Sequence, residues 1–99
     1  MAGYSFTNKA VNDLSDIWNY TRDSWSEKQA DKYYTMLLDF CKELSDKPNI
    51  GKKYDEVYTD LFGYRVNQHI IFYRVISDKE IEIVRILHIR MDMKSRLND

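Results

Sequence analysis

The sequence has little cysteine, histidine, glycine or proline, and each shortage excludes a class of protein. The single cysteine, Cys41, rules out an intramolecular disulfide framework. One cysteine and two histidines are also too few for a closed structural zinc site, which is usually built from about four such ligands. The chain has only three glycines and one proline, and 43% of its residues are hydrophobic and 31% charged. This composition is typical of a folded globular chain. We therefore expect a folded protein that needs no metal and no organic cofactor.

Long apolar runs are missing as well. No segment approaches the roughly 20 apolar residues that span a bilayer, and the start MAGYSFTNKAVNDL lacks the apolar stretch of a secretory signal. These absences predict a cytoplasmic protein with no membrane partner. The net charge is −1, whereas proteins that grip nucleic acid by its phosphates carry a clear positive excess. We expect one domain over residues 1–99, without direct sequence-specific nucleic-acid binding.

The first half of the chain has helical periodicity. A short strand is predicted at Tyr4–Thr7, where aromatic and polar residues alternate. Thr7 or Asn8 can cap the helix that follows, and the spacing places Asp13 away from its apolar face. That face contains Ala10, Leu14, Ile17, Trp18 and Thr21.

A second helix is predicted to begin at Ser26 and to end near Asp46, ahead of Pro48. Ser26 and Gln29 have the spacing of a capping box, and the link to the first helix is short. The two helices should therefore form an antiparallel hairpin.

Beyond a loop over residues 46–60 the apolar period changes to two, which predicts three antiparallel strands. The first begins at Phe62. The second, His69–Ile76, is apolar on both faces and should lie in the middle of the sheet. The third runs over Ile81–Ile89, and a helical turn could follow it. A strand, a helical hairpin and a three-stranded antiparallel sheet make an α+β fold with one helical layer. In the last strand we assign Ile81, Ile83, Leu87 and Ile89 to one face and Val84, Ile86 and His88 to the other.

Four segments in this order resemble ParE-type toxins of the ParE/RelE superfamily. They are the opening helix pattern in Ala10–Thr21 (AVNDLSDIWNYT), the loop Asp46–Lys52 (DKPNIGK), and the strand segments His69–Val75 (HIIFYRV) and Arg85–Asp92 (RILHIRMD). The resemblance implies the RelE/ParE-like fold and a toxin of a type II toxin–antitoxin module, neutralised by a ParD-like antitoxin. It also implies poisoning of DNA gyrase by binding. RelE-type relatives instead cut mRNA on the ribosome, which is the alternative function.

Five residues are predicted to bind a partner: Trp25, Arg65, Arg85, His88 and Arg90. His88 and Arg90 stand two apart, so both should project from one side of the last strand. Arginines that interrupt apolar strands should reach a solvated face or be paired, because unpaired burial is costly. Arg65 is predicted to point away from the helices. An open sheet face with several arginines could receive an acidic partner segment.

A structural explanation of the same residues stays open. His88 could bond a backbone carbonyl, and Arg90 could pair with Asp92. The strand arginines, Arg74 included, could pair with Glu80, Glu82 or Asp92.

The choice between binding and catalysis depends on His88. In a nuclease it would be the titrating group, with Arg65 and Arg90 supporting the phosphate. The tail Met93–Asp99 lacks the terminal aromatic or histidine that RelE-type nucleases use. Together with the net charge of −1, this favours a binding inhibitor over an enzyme.

Overall fold

A computed structural model describes residues 3–98 of the chain and has the predicted order of elements. The first half comprises strand β1 (Gly3–Phe6), helix α1 (Asn8–Ser24) and helix α2 (Glu27–Asp46). The second half comprises strands β2 (Lys52–Lys53), β3 (Phe62–Val66), β4 (His69–Ser77) and β5 (Glu80–His88), followed by helix α3 (Met93–Leu97). The mixed α+β fold with a helical hairpin is confirmed.

Both long helices begin at side-chain caps. The Thr7 hydroxyl accepts a hydrogen bond from the backbone N–H of Ala10, and the Ser26 hydroxyl accepts one from Gln29. Each cap satisfies a backbone donor that has no partner within the helix. The Thr7 hydroxyl also donates to the carbonyl of Val84 at 2.7 Å, which ties the start of α1 to β5. In residues 3–98 no helix is both long and apolar enough to cross a membrane.

Within residues 3–98 the sheet has five strands in the order β1-β5-β4-β3-β2. β4 lies in the middle, as its two apolar faces predict. β1 pairs with β5 in parallel, and the other pairs are antiparallel. The sequence did not indicate β2, since its two exposed lysines carry no apolar alternation. The three predicted strands are therefore flanked by a short strand on each side.

The core lies on both faces of the sheet. The main core fills the space between the helical hairpin and one face, and a small core lies on the other, under residues 54–61 and α3. The main core contains Ala10, Leu14, Leu37, Cys41, Leu44, Val66, Ile71, Tyr73, Ile81, Ile83 and Ile86. The small core contains Leu61, Phe72 and Leu87, with Val84 and Leu97 packed against them.

A β-bulge in β5 corrects the predicted faces of that strand. Tyr73 is opposite Ile83 and Phe72 is opposite Arg85, so Val84 is an extra residue in β5. An extra residue moves every later side chain to the other face. Ile86 consequently joins Ile83 in the main core, and Leu87 turns to the small core.

Candidate functional site

Three aromatic side chains meet beside α2, where β4 begins and β5 ends. His69 of β4 and His88 of β5 are directly opposite, and their rings meet edge to face with centroids 5.3 Å apart. The Tyr33 hydroxyl of α2 lies 2.7 Å from Nδ1 of His69. Tyr33 lies on the partly buried face of α2 that packs against the main core. We call these three residues the histidine cluster.

Burial sets the protonation of this cluster. Burial, with a smaller contribution from His88, lowers the pKa of His69 to about 4. Burial also raises the pKa of the Tyr33 hydroxyl. At neutral pH His69 is therefore an uncharged imidazole beside a protonated phenol. The arrangement is a hydrogen-bonded link between helix and sheet, with His69 poorly suited to accept a proton from a substrate at pH 7.

His69 should make the stability of the fold depend on pH in mild acid. The pKa of His69 is about 4 in the folded chain and about 6.5 in an unfolded one. The unfolded chain therefore binds the proton first, so the contribution is full above about pH 6.5 and is lost as the pH falls toward 4. We expect the melting temperature of His69→Phe to change less with pH between these values than that of the parent protein. Equal slopes for the variant and the parent would contradict this assignment.

His88 and Arg90 are joined through the backbone at the end of β5. Nδ1 of His88 accepts a hydrogen bond from the backbone N–H of Arg90 at 3.1 Å, so the predicted bond to a carbonyl is wrong. The Arg90 side chain is exposed, and among residues 3–98 it forms no ion pair with Asp92. Asp92 instead caps α3 by accepting from the N–H of Ser95. Arg90 is thus a solvent-facing cation next to the histidine cluster.

Arg65 lies on the opposite face of the sheet from His88. Val66 is opposite His69, which is opposite His88, whereas Arg65 is opposite Ile70. Directly paired residues share a face, so Arg65 points away from the helices, as predicted. Its Nε donates to the carbonyl of Asn67 at 2.9 Å, and the residue is exposed. The structure does not bring together the set proposed for a nuclease.

Arg85 is held inside the protein. Its Nε and Nη2 donate to the two carboxylate oxygens of Asp13 at 2.8 and 2.9 Å, and its Nη1 donates to the carbonyl of Arg96. The side chains of Arg85 and Asp13 are only 12% and 11% exposed. The ion-pair partner that the structure shows is Asp13 on α1, which the sequence did not indicate for Arg85. A residue predicted to meet a partner is instead bound within the fold.

Asp13 is the residue that sequence reasoning missed. Besides Arg85, its carboxylate accepts the backbone N–H of Ile86 at 3.0 Å. β1 pairs with β5 only as far as Ile83, so Asp13 supplies the acceptor that β1 no longer provides. The prediction that Asp13 lies away from the apolar face of α1 is therefore wrong, and the available signal was its spacing of three from Ala10 and four from Ile17.

The tip of the helical hairpin exposes aromatic surface. Trp25 is 77% exposed in the link between α1 and α2, and Tyr20 is also a large exposed side chain one turn earlier. Trp25 belongs to the link between the two helices, whereas His88 and Arg90 lie at the end of β5. The predicted binding residues do not form one continuous cluster.

The described part of the chain offers no clear metal ligands. In residues 3–98 no group of three or more His, Cys, Asp or Glu side chains could hold an ion. Cys41 is buried in the main core, and burial raises its thiol pKa to about 12, so it stays a protonated packing residue.

The geometry and the comparisons with known proteins agree on a class of protein. A strand, a helical hairpin on one sheet face and a last strand ending in His88 form a fold that two solved toxin–antitoxin structures share. The chromosomal ParDE toxin–antitoxin system of P. aeruginosa superposes with a TM-score of 0.77 at 23% identity, over 91% of this chain and 98% of that one. The RelBE2 toxin–antitoxin complex of Mycobacterium tuberculosis superposes with a TM-score of 0.66 at 21% identity, over 88% and 96%.

The sequence comparisons identify the family. Residues 4–93 match the family described as the ParE toxin of the type II toxin–antitoxin system, parDE. Toxin ParE1 of Mycobacterium tuberculosis is 34% identical over 84 residues, which are 85% of this chain and 86% of that toxin. The chain belongs to the ParE toxin family of type II toxin–antitoxin systems.

Proposed function

We propose that this protein acts by binding DNA gyrase and that a ParD-like antitoxin neutralises it. The observation that carries the proposal is the separation of Arg65 from His88 on opposite faces of the sheet. Cleavage of RNA needs a base, an acid and cations gathered around one phosphate. A toxin that works by binding has no such requirement, and its contact residues can be spread over a surface.

The hydrogen bonding of His88 and the burial of His69 support the same proposal. Nδ1 of His88 already accepts the N–H of Arg90, and the other histidine in the cluster, His69, has a pKa of about 4. His69 is therefore poorly suited to general base catalysis at neutral pH, and one ring nitrogen of His88 is already engaged by the backbone. Arg90, Arg65 and Trp25 are all exposed and can contact a protein target. Arg85 is ion-paired with Asp13 inside the fold, so it is left out of this set of binding residues.

The antitoxin is inferred from the relatives. The P. aeruginosa neighbour is described as a toxin–antitoxin system, and the Mycobacterium tuberculosis neighbour as a toxin–antitoxin complex. The exposed apolar side chains Val75 and Ile76 at the end of β4 give such a partner surface to cover. We therefore expect the protein encoded beside this chain to bind it and to suppress its toxicity.

Inducing the chain in cells tests the target. Replication and protein synthesis are followed separately after induction, and purified gyrase is assayed for supercoiling and for cleaved DNA. Early DNA damage with continued translation is expected. Immediate loss of protein synthesis with intact gyrase activity would instead support the RelE-like mRNA endonuclease.

Single substitutions at the end of β5 separate binding from catalysis. Arg90→Ala should leave thermal unfolding nearly unchanged and reduce toxicity more than His88→Ala does, because binding depends on an exposed charge. A charge-assisted hydrogen bond from Arg90 to a partner carboxylate would contribute roughly 1–3 kcal/mol. Growth after induction and melting temperature are measured for both variants. A larger loss of toxicity at His88 than at Arg90 would contradict the binding mechanism.

A further inference from the structure

A cationic cleft lies on the small-core side of the sheet, apart from the histidine cluster. Its volume is about 150 Å³. The lining includes three basic side chains and four that are apolar or aromatic: Lys9, Arg74, Arg85, Tyr58, Leu61, Val84 and Leu97. No acidic side chain from residues 3–98 lines it. We call this the Arg74 cleft.

Arg74 is the residue in the cleft whose bonding is incomplete. Its Nε is buried and has no hydrogen-bond partner among the described residues. Glu82 is opposite Arg74 in the β4–β5 register, yet the two form no ion pair within residues 3–98, so the predicted pairing with Glu82 is wrong. The guanidinium carbon lies 4.6 Å from the centroid of the Tyr58 ring. The guanidinium is thus in cation–π contact with one ring, while its Nε remains a buried donor without an acceptor among the described residues.

The missing acceptor should be a carboxylate. The fork of Nε and Nη donors in arginine matches the two oxygens of a carboxylate, and the positive charge of Arg74 favours an anion, whereas Arg85 is already paired with Asp13. A volume of about 150 Å³ corresponds to about five water molecules, which suits one acidic side chain and is small for a nucleotide.

The surroundings favour a peptide over a sugar–phosphate backbone. Tyr58 and Ile76 are exposed large hydrophobic residues, one in the cleft wall and one two residues beyond Arg74. Apolar surface next to a cation suits an acidic residue with an apolar neighbour. The net charge of −1 also disfavours a polyanion.

We propose that the Arg74 cleft binds the carboxylate of one Asp or Glu of the antitoxin, with an apolar neighbour of that residue packed against Tyr58. This inference rests on the proposed function, because it takes the antitoxin as the partner. The carboxylate would accept the hydrogen bond from the buried Nε of Arg74, which has no partner among the described residues.

Calorimetric titration with the protein encoded beside this chain tests the proposal. Arg74→Gln should weaken binding by at least about tenfold, because a buried charge-assisted pair is lost. Arg74→Lys should lose less, since it keeps the charge without the fork. Arg22→Gln is the matched control, because Arg22 is an exposed arginine on α1, and its affinity should stay within about twofold of the parent. Melting temperatures of the free variants check that each is folded. If Arg74→Gln does not fold, the affinity of Arg74→Lys is the test of the proposal.

A double-mutant cycle identifies the partner residue. Each acidic residue of the antitoxin is replaced by its amide, and one replacement should remove most of the effect of Arg74→Gln. Undiminished affinity of both Arg74 variants would overturn the inference and leave the proposed function standing. The same holds if no acidic position couples to Arg74. If the neighbouring gene product does not bind the parent chain, the inference and the antitoxin part of the proposed function both fail.

Discussion

Asp13→Ala should lower the free energy of unfolding by about 3–5 kcal/mol, the range found when one partner of a buried ion pair is removed. The Asp13 carboxylate accepts from Nε and Nη2 of Arg85 and from the backbone N–H of Ile86. Its loss leaves a largely buried guanidinium without its counter-charge and a backbone donor without an acceptor. Denaturant unfolding followed by circular dichroism measures the change.

Asp16→Ala is the control for this substitution. Asp16 lies on the same helix and is exposed, so its removal should change stability by less than about 0.5 kcal/mol. Asp13→Asn keeps an oxygen acceptor without the charge, so its loss of stability should lie between those of Asp13→Ala and Asp16→Ala. If Asp13→Ala unfolds like Asp16→Ala, the ion pair with Arg85 contributes nothing to stability.

Local patterns were enough to predict the helices. The caps at Thr7 and Ser26, the end of α2 at Asp46 and the apolar faces of α1 and α2 depend on residues three or four positions apart. Such spacings are readable in the sequence because they use only the geometry of one helix. The strand β4 was predictable for a related reason, since a strand covered on both faces is apolar on both.

Long-range contacts explain what the sequence did not indicate. Asp13 and Arg85 are 72 positions apart, and nothing in either segment shows that they meet. The bulge at Val84 depends on the register with β4, so simple alternation assigned Ile86 and Leu87 to the wrong faces. The strand β2 has two residues and exists only because β3 offers an edge.

The same bulge determines where the candidate site forms. Without the extra residue Val84, strict alternation from Ile83 would turn His88 away from α2. With it, His88 lies opposite His69, which contacts the Tyr33 hydroxyl, on the side of the main core. Asp13 binds the N–H of Ile86 directly after the bulge and so helps to hold the strand in this register. A helix residue outside the predicted site thereby positions the site.

Ile86→Ala tests both the bulge and the main core, and it should lower the free energy of unfolding by about 2–5 kcal/mol. Ile86 is 2% exposed and packs in the main core with Ile71, Ile83 and the α2 residue Leu37. Truncation removes three carbon atoms from a packed interior, so the loss combines apolar transfer with the cavity that remains. Urea unfolding of the purified variant gives the change.

Ile76→Ala provides the comparison on the neighbouring strand. Ile76 is the same residue type in the same sheet but is 55% exposed, so its truncation should cost less than about 0.5 kcal/mol. The contrast between two isoleucines isolates burial from the intrinsic strand preference of isoleucine. Equal small losses at both positions would mean that Ile86 faces solvent. The register beyond Val84, and with it the position of His88 beside His69, would then be different from the one described.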